Sequence, residues 1–298
     1  MNKVVLITGT SSGIGRAAAE TLAKHRYQVI ATMRDSSGKN RPAATYLISL
    51  AEREGYDLQV LEMDVTSDAS VNRAVEQALR RFGRIDVVIN NAGIAGVGIT
   101  EGFTIGQFQQ VLDVNLLGPI RVNRAVLPAM RRQQSGLLIH VSSAAGRAVL
   151  PGFAAYSASK FALEAVADVY RFELSAFGID SVIVEPGIHK TALTERSFGP
   201  AEEDRVSFYG PVSEAVNRIK GILENAVSAP ETPGPEIVAE SFISLIETPA
   251  GKRPFRTVPS TSMQPLLEDY NAATASVRDT VAELFGVSEL TAIRQGGL

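Results

Sequence analysis

Tyr156 and Lys160 stand four residues apart in "YSASK", a spacing that puts both side chains on one face if the segment is helical. The surrounding stretch from 153 to 178, "FAAYSASKFALEAVADVYRFELSAFG", carries apolar residues at helical intervals. A phenol with a pKa near ~10 is a poor base at neutral pH. An ammonium beside it stabilises the phenolate and fits the tyrosine for proton exchange with a carbonyl or an alcohol. A chance surface pair has the same spacing, so the meaning of the two residues depends on what the chain places near them. Ser143 lies just past the strand-like "LLIHVS", where its hydroxyl could donate to a substrate carbonyl oxygen. Ser142 is its neighbour, and strand alternation sends the two hydroxyls to opposite faces.

A second chemical feature sits near the start. "TGTSSGIG" (8–15) follows the apolar run "KVVLI" and leads into "RAAAETLAKH". Gly9, Gly13 and Gly15 let the backbone turn tightly and approach a pyrophosphate, whose charge then rests at a helix N-terminus. Ser11, Ser12 and Ile14 complete the turn and are expected at the same ligand. A tight structural turn is the plainer use of such glycines. The next strand ends "ATMRD". Met33 stands where an acid would accept the ribose hydroxyls of NAD(H), and the Arg34 guanidinium favours the 2′-phosphate of NADP(H). Asp35 keeps NAD(H) open, since it could pair with Arg34 or serve the ribose itself.

The elements that must position these residues alternate. "KVVLIT" (3–8), "YQVIAT" (27–32), "LQVLEM" (58–63), "IDVVIN" (85–90), "LLIHVS" (137–142) and "SVIVEP" (181–186) read as buried parallel strands. Val71, Ala74, Val75, Ala78, Leu79 and Phe82 mark a helix between the third and fourth, with Ser67 as N-cap and Gly83 as C-cap. The alternation predicts an α/β fold, a Rossmann-type doubly wound parallel sheet of six to seven strands flanked by helices, as one domain over 1–298. "RPFRTV" (253–258) adds an edge strand. The first, fourth, fifth and sixth strands end in "TGTSSGIG", "NNAG", "SSAAG" and "EPG", small polar sequences opening onto one crevice. After Pro186 the pattern fails. Residues 187–235 read as a loose connector or a lid over the substrate, with Phe198, Phe208 and Tyr209 as pocket walls or lid packing. Helical periodicity returns over 261–285 in a C-terminal extension (261–298) that ends in the peripheral tail "VSELTAIRQGGL". The "RR" pairs at 80–81 and 131–132 fit helix C-termini.

Composition sets outer bounds. The 298 residues are 45% apolar and 20% charged, with a formal net charge of −3. Nothing in that balance points to nucleic acid or anionic membrane as partner. The absence of cysteine excludes disulfides, thiolate metal sites and cysteine nucleophiles. His25, His140 and His189 are too dispersed for a metal site. His140 falls within a strand and reads as core; His189 falls in a loop, solvated or touching substrate. With no signal pattern and no apolar run near ~18 residues, a soluble cytoplasmic protein is expected.

Taken together the motifs resemble the short-chain dehydrogenase/reductase family: "TGTSSGIG", Asp64-Val65, "NNAG" (90–93), Asn115 in "DVNLLG", Ser143, "YSASK" and "PGIHKT" (186–191) occur in the family's order. The likeness covers about residues 3 to 192 and fades beyond. "VIATMRD", "VLDVNLLG" and "YSASKFALEAVADVYRFEL" look like the 17β-hydroxysteroid and retinol dehydrogenase branch. The resemblance implies that Tyr156 is the general acid/base, while Lys160 lowers its pKa and binds the nicotinamide ribose. It implies that Ser143 orients the carbonyl and that Asn115 holds a water extending the proton relay. Asp64 and Val65 would contact adenine, and Asn91, Ala92 and Gly93 would line the adenosine side, with Asn91 also steadying the sheet. Pro186, Gly187 and Thr191 would frame the nicotinamide. Ser12 replaces the basic residue that many NADP-dependent members carry in the turn, so Arg34 alone carries the cofactor preference. The implied partners are a small to medium, largely apolar carbonyl or alcohol substrate and further copies of the chain. A homodimer or homotetramer would form through helices at about 104–131 and 154–177. The implied activity is hydride transfer with NADP(H), NAD(H) being possible. A nucleotide-binding regulator or redox sensor without turnover is the other class.

Overall fold

The β-branched runs form seven strands in the computed structural model, which describes residues 2–260 and 263–293. In chain order the elements are β1 (Val4–Thr8), α1 (Gly13–Lys24), β2 (Gln28–Met33), α2 (Arg41–Glu54), β3 (Leu58–Glu62), α3 (Asp68–Phe82), β4 (Val87–Asn90), α4 (Ile105–Leu112) and α5 (Gly118–Gln133). There follow β5 (Gly136–Val141), α6 (Ala154–Leu174), β6 (Ile179–Val184), α7 (Glu203–Val206), α8 (Gly210–Ser228), α9 (Glu236–Glu247), β7 (Arg256–Thr257) and α10 (Gln264–Leu284). All strand pairings are parallel, in the order β3-β2-β1-β4-β5-β6-β7, with the expected edge strand as β7.

The near-continuous apolarity of the strands follows from cover on both faces. Val5 and Ile7, with Ile89, Ile139 and Val182, pack against Ala18 and Leu22 of α1 and Phe242 of α9. Val4, Leu6, Val88 and Leu138 pack on the other side against Val71 and Val75 of α3 and Val122 and Val126 of α5. Each fully buried side chain of this kind stabilises by about 1.5–3 kcal/mol, so a one-residue slip would turn every strand inside out. Ser67 caps α3 by accepting from the Ser70 N–H, and Gly83 ends it with φ +73°. Arg80, Arg81, Arg131 and Arg132 occupy the last turns of α3 and α5.

The region after Pro186 is more ordered than its composition suggests. It contains α7, a 3₁₀ turn and the 19-residue α8. Pro211 sits in the first turn of α8, where a missing N–H is harmless. The reading of this segment as loose rested on its glycines, prolines and charges, which mask the helical spacing of Val212, Val216, Ile219, Leu223 and Val227. Phe198 packs edge-on against Phe103, with ring centres 6.1 Å apart. Phe208 is 88% exposed, and Tyr209 donates to Glu101. None of the three reaches the cavity described below; Phe198 packs against Phe103, and the other two are at the surface. The C-terminal periodicity appears as α10, followed by one 3₁₀ turn (Ser288–Thr291); residues 294–298 of the tail lie outside the described residues. Among the described residues no helix is long and apolar enough to cross a membrane.

Candidate active site

Strand order reverses between β1 and β4, so the loops leaving these strands diverge and open a crevice at their carboxyl ends. The glycine turn fills one side. Gly9 (φ +73°) and Gly13 (φ +56°) take left-handed conformations. A Cβ on Gly9 would lie 2.8 Å from the Ala92 Cα, so the turn after β1 and the "NNAG" turn after β4 touch through bare backbone. Asn91 ties them together, its Nδ2 donating to the Thr8 and Gly9 carbonyls at 2.8 and 3.2 Å. Gly15 plays a different part from its two neighbours. It does not line the crevice; a Cβ there would lie 2.3 Å from the Gly9 oxygen and 2.4 Å from the Asn91 Nδ2, so this glycine lets α1 pack closely on β1.

Ser143 leaves β5 with extended backbone and accepts from the Ala145 N–H at 3.1 Å. Across from it, α6 presents Tyr156 and Lys160 on one face, as their spacing predicts. The Ser143 side chain lies beside the Tyr156 phenol, and both line the same cavity. The Lys160 Nζ lies 5.7 Å from the centre of the Tyr156 ring and donates to the Val141 carbonyl at 2.8 Å. Both side chains are buried, at 7% and 4% exposure. Burial pushes the phenol up, with the neighbouring Ser143 hydroxyl pulling the other way. Burial also brings the Lys160 ammonium down, to about 8, against the attraction of Glu164. Burial dominates, so the net direction for the phenol is up, where the sequence alone points to a phenol brought down by the ammonium.

Asn115 occupies a π-helical turn, Asp113–Leu117, between α4 and α5, a feature that often marks functional positions. Its Oδ1 accepts from the Ile94 N–H at 2.9 Å, and its Nδ2 donates to the Ile94 carbonyl and to the Ser159 Oγ at 2.9 and 3.0 Å. The amide does not line the crevice. It stands behind it, with the Gly93 Cβ position 3.5 Å from its Oδ1 and 3.8 Å from the Lys160 Nζ.

The remaining expected residues surround one cavity of about 910 Å³. Ser11, Ser12, Gly13 and Ile14 form one wall; Asp64 and Val65 sit with Arg34 toward β2 and β3; Asn91, Ala92 and Gly93 follow; Pro186, Gly187 and Thr191 close the side beyond Ser143. The glycine cradle and this elongated wall fit a dinucleotide. Asp35 is turned away: with φ +50° it holds the Lys39 N–H through its Oδ2 at 2.8 Å, and its own N–H donates to Glu62. Among the described residues Arg34 has no ion-pair partner.

Several lining residues escaped the sequence reading. Lys39 joins Arg34 at one end of the cavity; only the left-handed turn at Asp35 brings it there. Arg196 of the 187–235 segment reaches back to donate to the Ser12 Oγ at 2.8 Å. Leu150, Phe153, Ile188, Leu193, Leu223 and Met263 make an apolar lining, three of them from the 187–235 segment. His189, expected in solvent or at substrate, is 3% exposed and lines the cavity, its Nδ1 3.2 Å from the Gly187 carbonyl oxygen. His140 is fully buried in β5, stacked on Tyr170. No cluster of three metal-ligating side chains occurs among the described residues.

The chain matches the short chain dehydrogenase family over residues 3–202. It is 35% identical to retinol dehydrogenase 8 of Bos taurus over 259 residues, which is 86% of this chain and 73% of that protein. It is equally 35% identical to 17-beta-hydroxysteroid dehydrogenase type 1 of Mus musculus over 259 residues, 83% of this chain and 71% of that one. Alignments of that length reach past residue 192, so the likeness extends into the C-terminal third. Among solved structures, a short-chain dehydrogenase from Streptomyces avermitilis shares the fold with a TM-score of 0.71 at 29% identity, covering 96% of this chain and 97% of that one. The chain belongs to the short-chain dehydrogenase family, NAD(P)-dependent oxidoreductases that act on CH–OH groups.

Proposed function

We propose that the chain interconverts a carbonyl and a secondary or primary alcohol on a small to medium, largely apolar substrate, with NADP(H) as cofactor and Tyr156 as general acid/base. The observation that carries the reading is the placing of Ser143 beside Tyr156 in the wall of the cavity, with Lys160 behind the ring. When bound, the dinucleotide supplies the hydride donor or acceptor. Ser143 holds the substrate oxygen beside the phenol. In reduction the Tyr156 hydroxyl gives its proton to that oxygen; in oxidation the phenolate takes it from the alcohol. A buried phenol keeps its proton at neutral pH, which suits the reductive direction. Arg34 and Lys39 offer two positive charges to a 2′-phosphate, and Asp35 is engaged elsewhere. The apolar lining from Leu150 to Leu223 excludes water from the far side of the reacting carbon.

Tyr156→Phe should lower turnover at least ~10³-fold, the scale of a lost proton donor, while the dissociation constant for NADPH, read by its fluorescence, stays within about twofold. Turnover surviving in the Phe variant would remove Tyr156 from the role. A panel of ketones, aldehydes and alcohols giving no turnover despite tight cofactor binding would make the protein a regulator instead. We further infer a homodimer or homotetramer, supported by the exposed apolar side chains of Ile105, Leu117, Phe161 and Val169 around α4 and α6.

A further inference from the structure

Behind the cavity, on the side away from any ligand, lies a cluster of buried charge. Glu185 and Glu164 are 0% and 3% exposed. Arg256 Nε reaches Glu164 Oε2 at 2.8 Å and Glu185 Oε1 at 3.6 Å. Arg147 Nε lies 3.4 Å from Glu185 Oε1, and its Nη1 lies 3.9 Å from Glu164 Oε2. Asp168 of α6 takes Arg256 Nη2 at 3.3 Å and Arg278 Nη1 of α10 at 3.6 Å. The placement of these residues along the chain is what matters. Arg147 stands four residues after Ser143, Glu164 one helical turn after Lys160, and Glu185 immediately before Pro186 and Gly187. The three segments that would meet the reactants are bolted together at one point behind them.

The C-terminal helix completes the joint. Arg147 Nε donates to Asn271 Oδ1 at 2.9 Å and its Nη2 to Thr274 Oγ1 at 2.6 Å. Asn271 Nδ2 donates to Glu185 Oε2 at 2.6 Å. The Arg147 guanidinium also lies 4.6 Å from the centre of the Tyr270 ring. Yet of the 21 residues in α10 only Leu267 and Ala282 are buried, so polar contacts and not apolar area hold this helix in place. Buried ion pairs add little stability compared with apolar packing, but leaving one member without its partner is costly, which makes them good at fixing geometry. Burial, followed by Glu164, raises the Glu185 carboxyl to about 7, so the arginines only partly offset the desolvation.

We propose that α10 is a positioning element for the reaction. Asn271 and Thr274 fix Arg147, and through Glu185, Glu164 and Arg256 they hold the Ser143 loop, the Tyr156–Lys160 face of α6 and the Pro186–Gly187 turn in register. The proposal rests on the oxidoreductase reading above for its catalytic consequence, and on geometry alone for the mechanical coupling.

Thr274→Val keeps the shape of the side chain and removes the acceptor for Arg147 together with the hydroxyl's bonds to the Tyr270 and Asn271 carbonyls; Thr274→Ser keeps all three. With the full chain and NADPH, kcat should fall about tenfold in the Val variant, in line with a slight misplacement of reacting groups. KM and the cofactor dissociation constant should stay within about twofold, and the Ser variant should match the parent. Amide exchange should rise in residues 143–148, 160–165 and 185–188 of the Val variant and stay at parent levels in β1–β3. An unchanged kcat in Thr274→Val, or exchange raised evenly over the whole chain, overturns the proposal. Asn271→Leu, read in the same way, decides if the valine protein fails to fold. A parent chain without turnover would defeat the oxidoreductase reading, while the exchange pattern would still decide the coupling.

Discussion

At the scale of single residues the site is governed by burial. A tyrosine and a lysine in contact invite the argument that the cation acidifies the phenol, and in water it would. Here both sit in the same dry wall, so each is pushed toward its neutral form, the phenol up and the ammonium down to about 8. Lys160 is still largely charged at pH 7 and loses that charge as pH passes about 8. The cofactor argument also turns on individual side chains. Arg34→Ala should raise KM for NADPH on the order of tenfold or more, the scale of a charge-assisted phosphate contact, and leave KM for NADH nearly unchanged. Lys39→Ala should act in the same direction. Parallel initial rates with the two cofactors check both, and an unchanged KM for NADPH in the Arg34 variant would favour NAD(H).

At the scale of elements, the glycine turn separates backbone freedom from close packing. Gly13→Ala places its Cβ 3.5 Å from Thr191, an ordinary contact, so only the left-handed strain of about 1–2 kcal/mol remains. Gly9→Ala adds a 2.8 Å collision with Ala92 to that strain, and Gly15→Ala collides at 2.3 Å with backbone oxygen in the heart of the α1–β1 contact. Thermal unfolding should therefore rank Gly13→Ala as the mildest and the other two as severe; equal melting temperatures for all three would contradict this placement of Gly9 and Gly15. The strands, α3 with its caps, and α6 were legible because their patterns are set by what they bury. The π turn at Asn115 was not, because "DVNLLG" has the same apolar spacing in an α-helix. Lys39 and Arg196 escaped because their places depend on a loop conformation and on how the 187–235 segment packs, neither written in local periodicity. α8 escaped because glycines, prolines and charges surround a helix whose apolar side faces a cavity and not the core.

At the scale of the whole molecule, two buried groups, one in β5 and one just past the end of β6, pull acid stability in opposite directions. Burial alone holds His140 down, to about 3 from an ordinary 6.5. The unfolded chain takes this proton below about 6.5 and the folded chain does not, so stability is whole above that pH and falls by about 1.4 kcal/mol per unit as pH drops toward 3. Glu185, raised from 4.5 to about 7, has the reverse sign: the folded chain holds its proton where the unfolded chain has lost it, so stability grows by a similar amount per unit as pH drops from 7 to 4.5. Between pH 4.5 and 6.5 the two slopes cancel, and urea unfolding should find this contribution nearly flat, turning steep only below that window. Replacing one group exposes the other. His140→Leu should gain about 3 kcal/mol relative to its own pH 6.5 value on acidification to 4.5, and Glu185→Gln should lose about as much. Parallel stability–pH curves for parent and His140→Leu would show that this imidazole takes up its proton in the folded chain after all, and that the core of β5 is open to water.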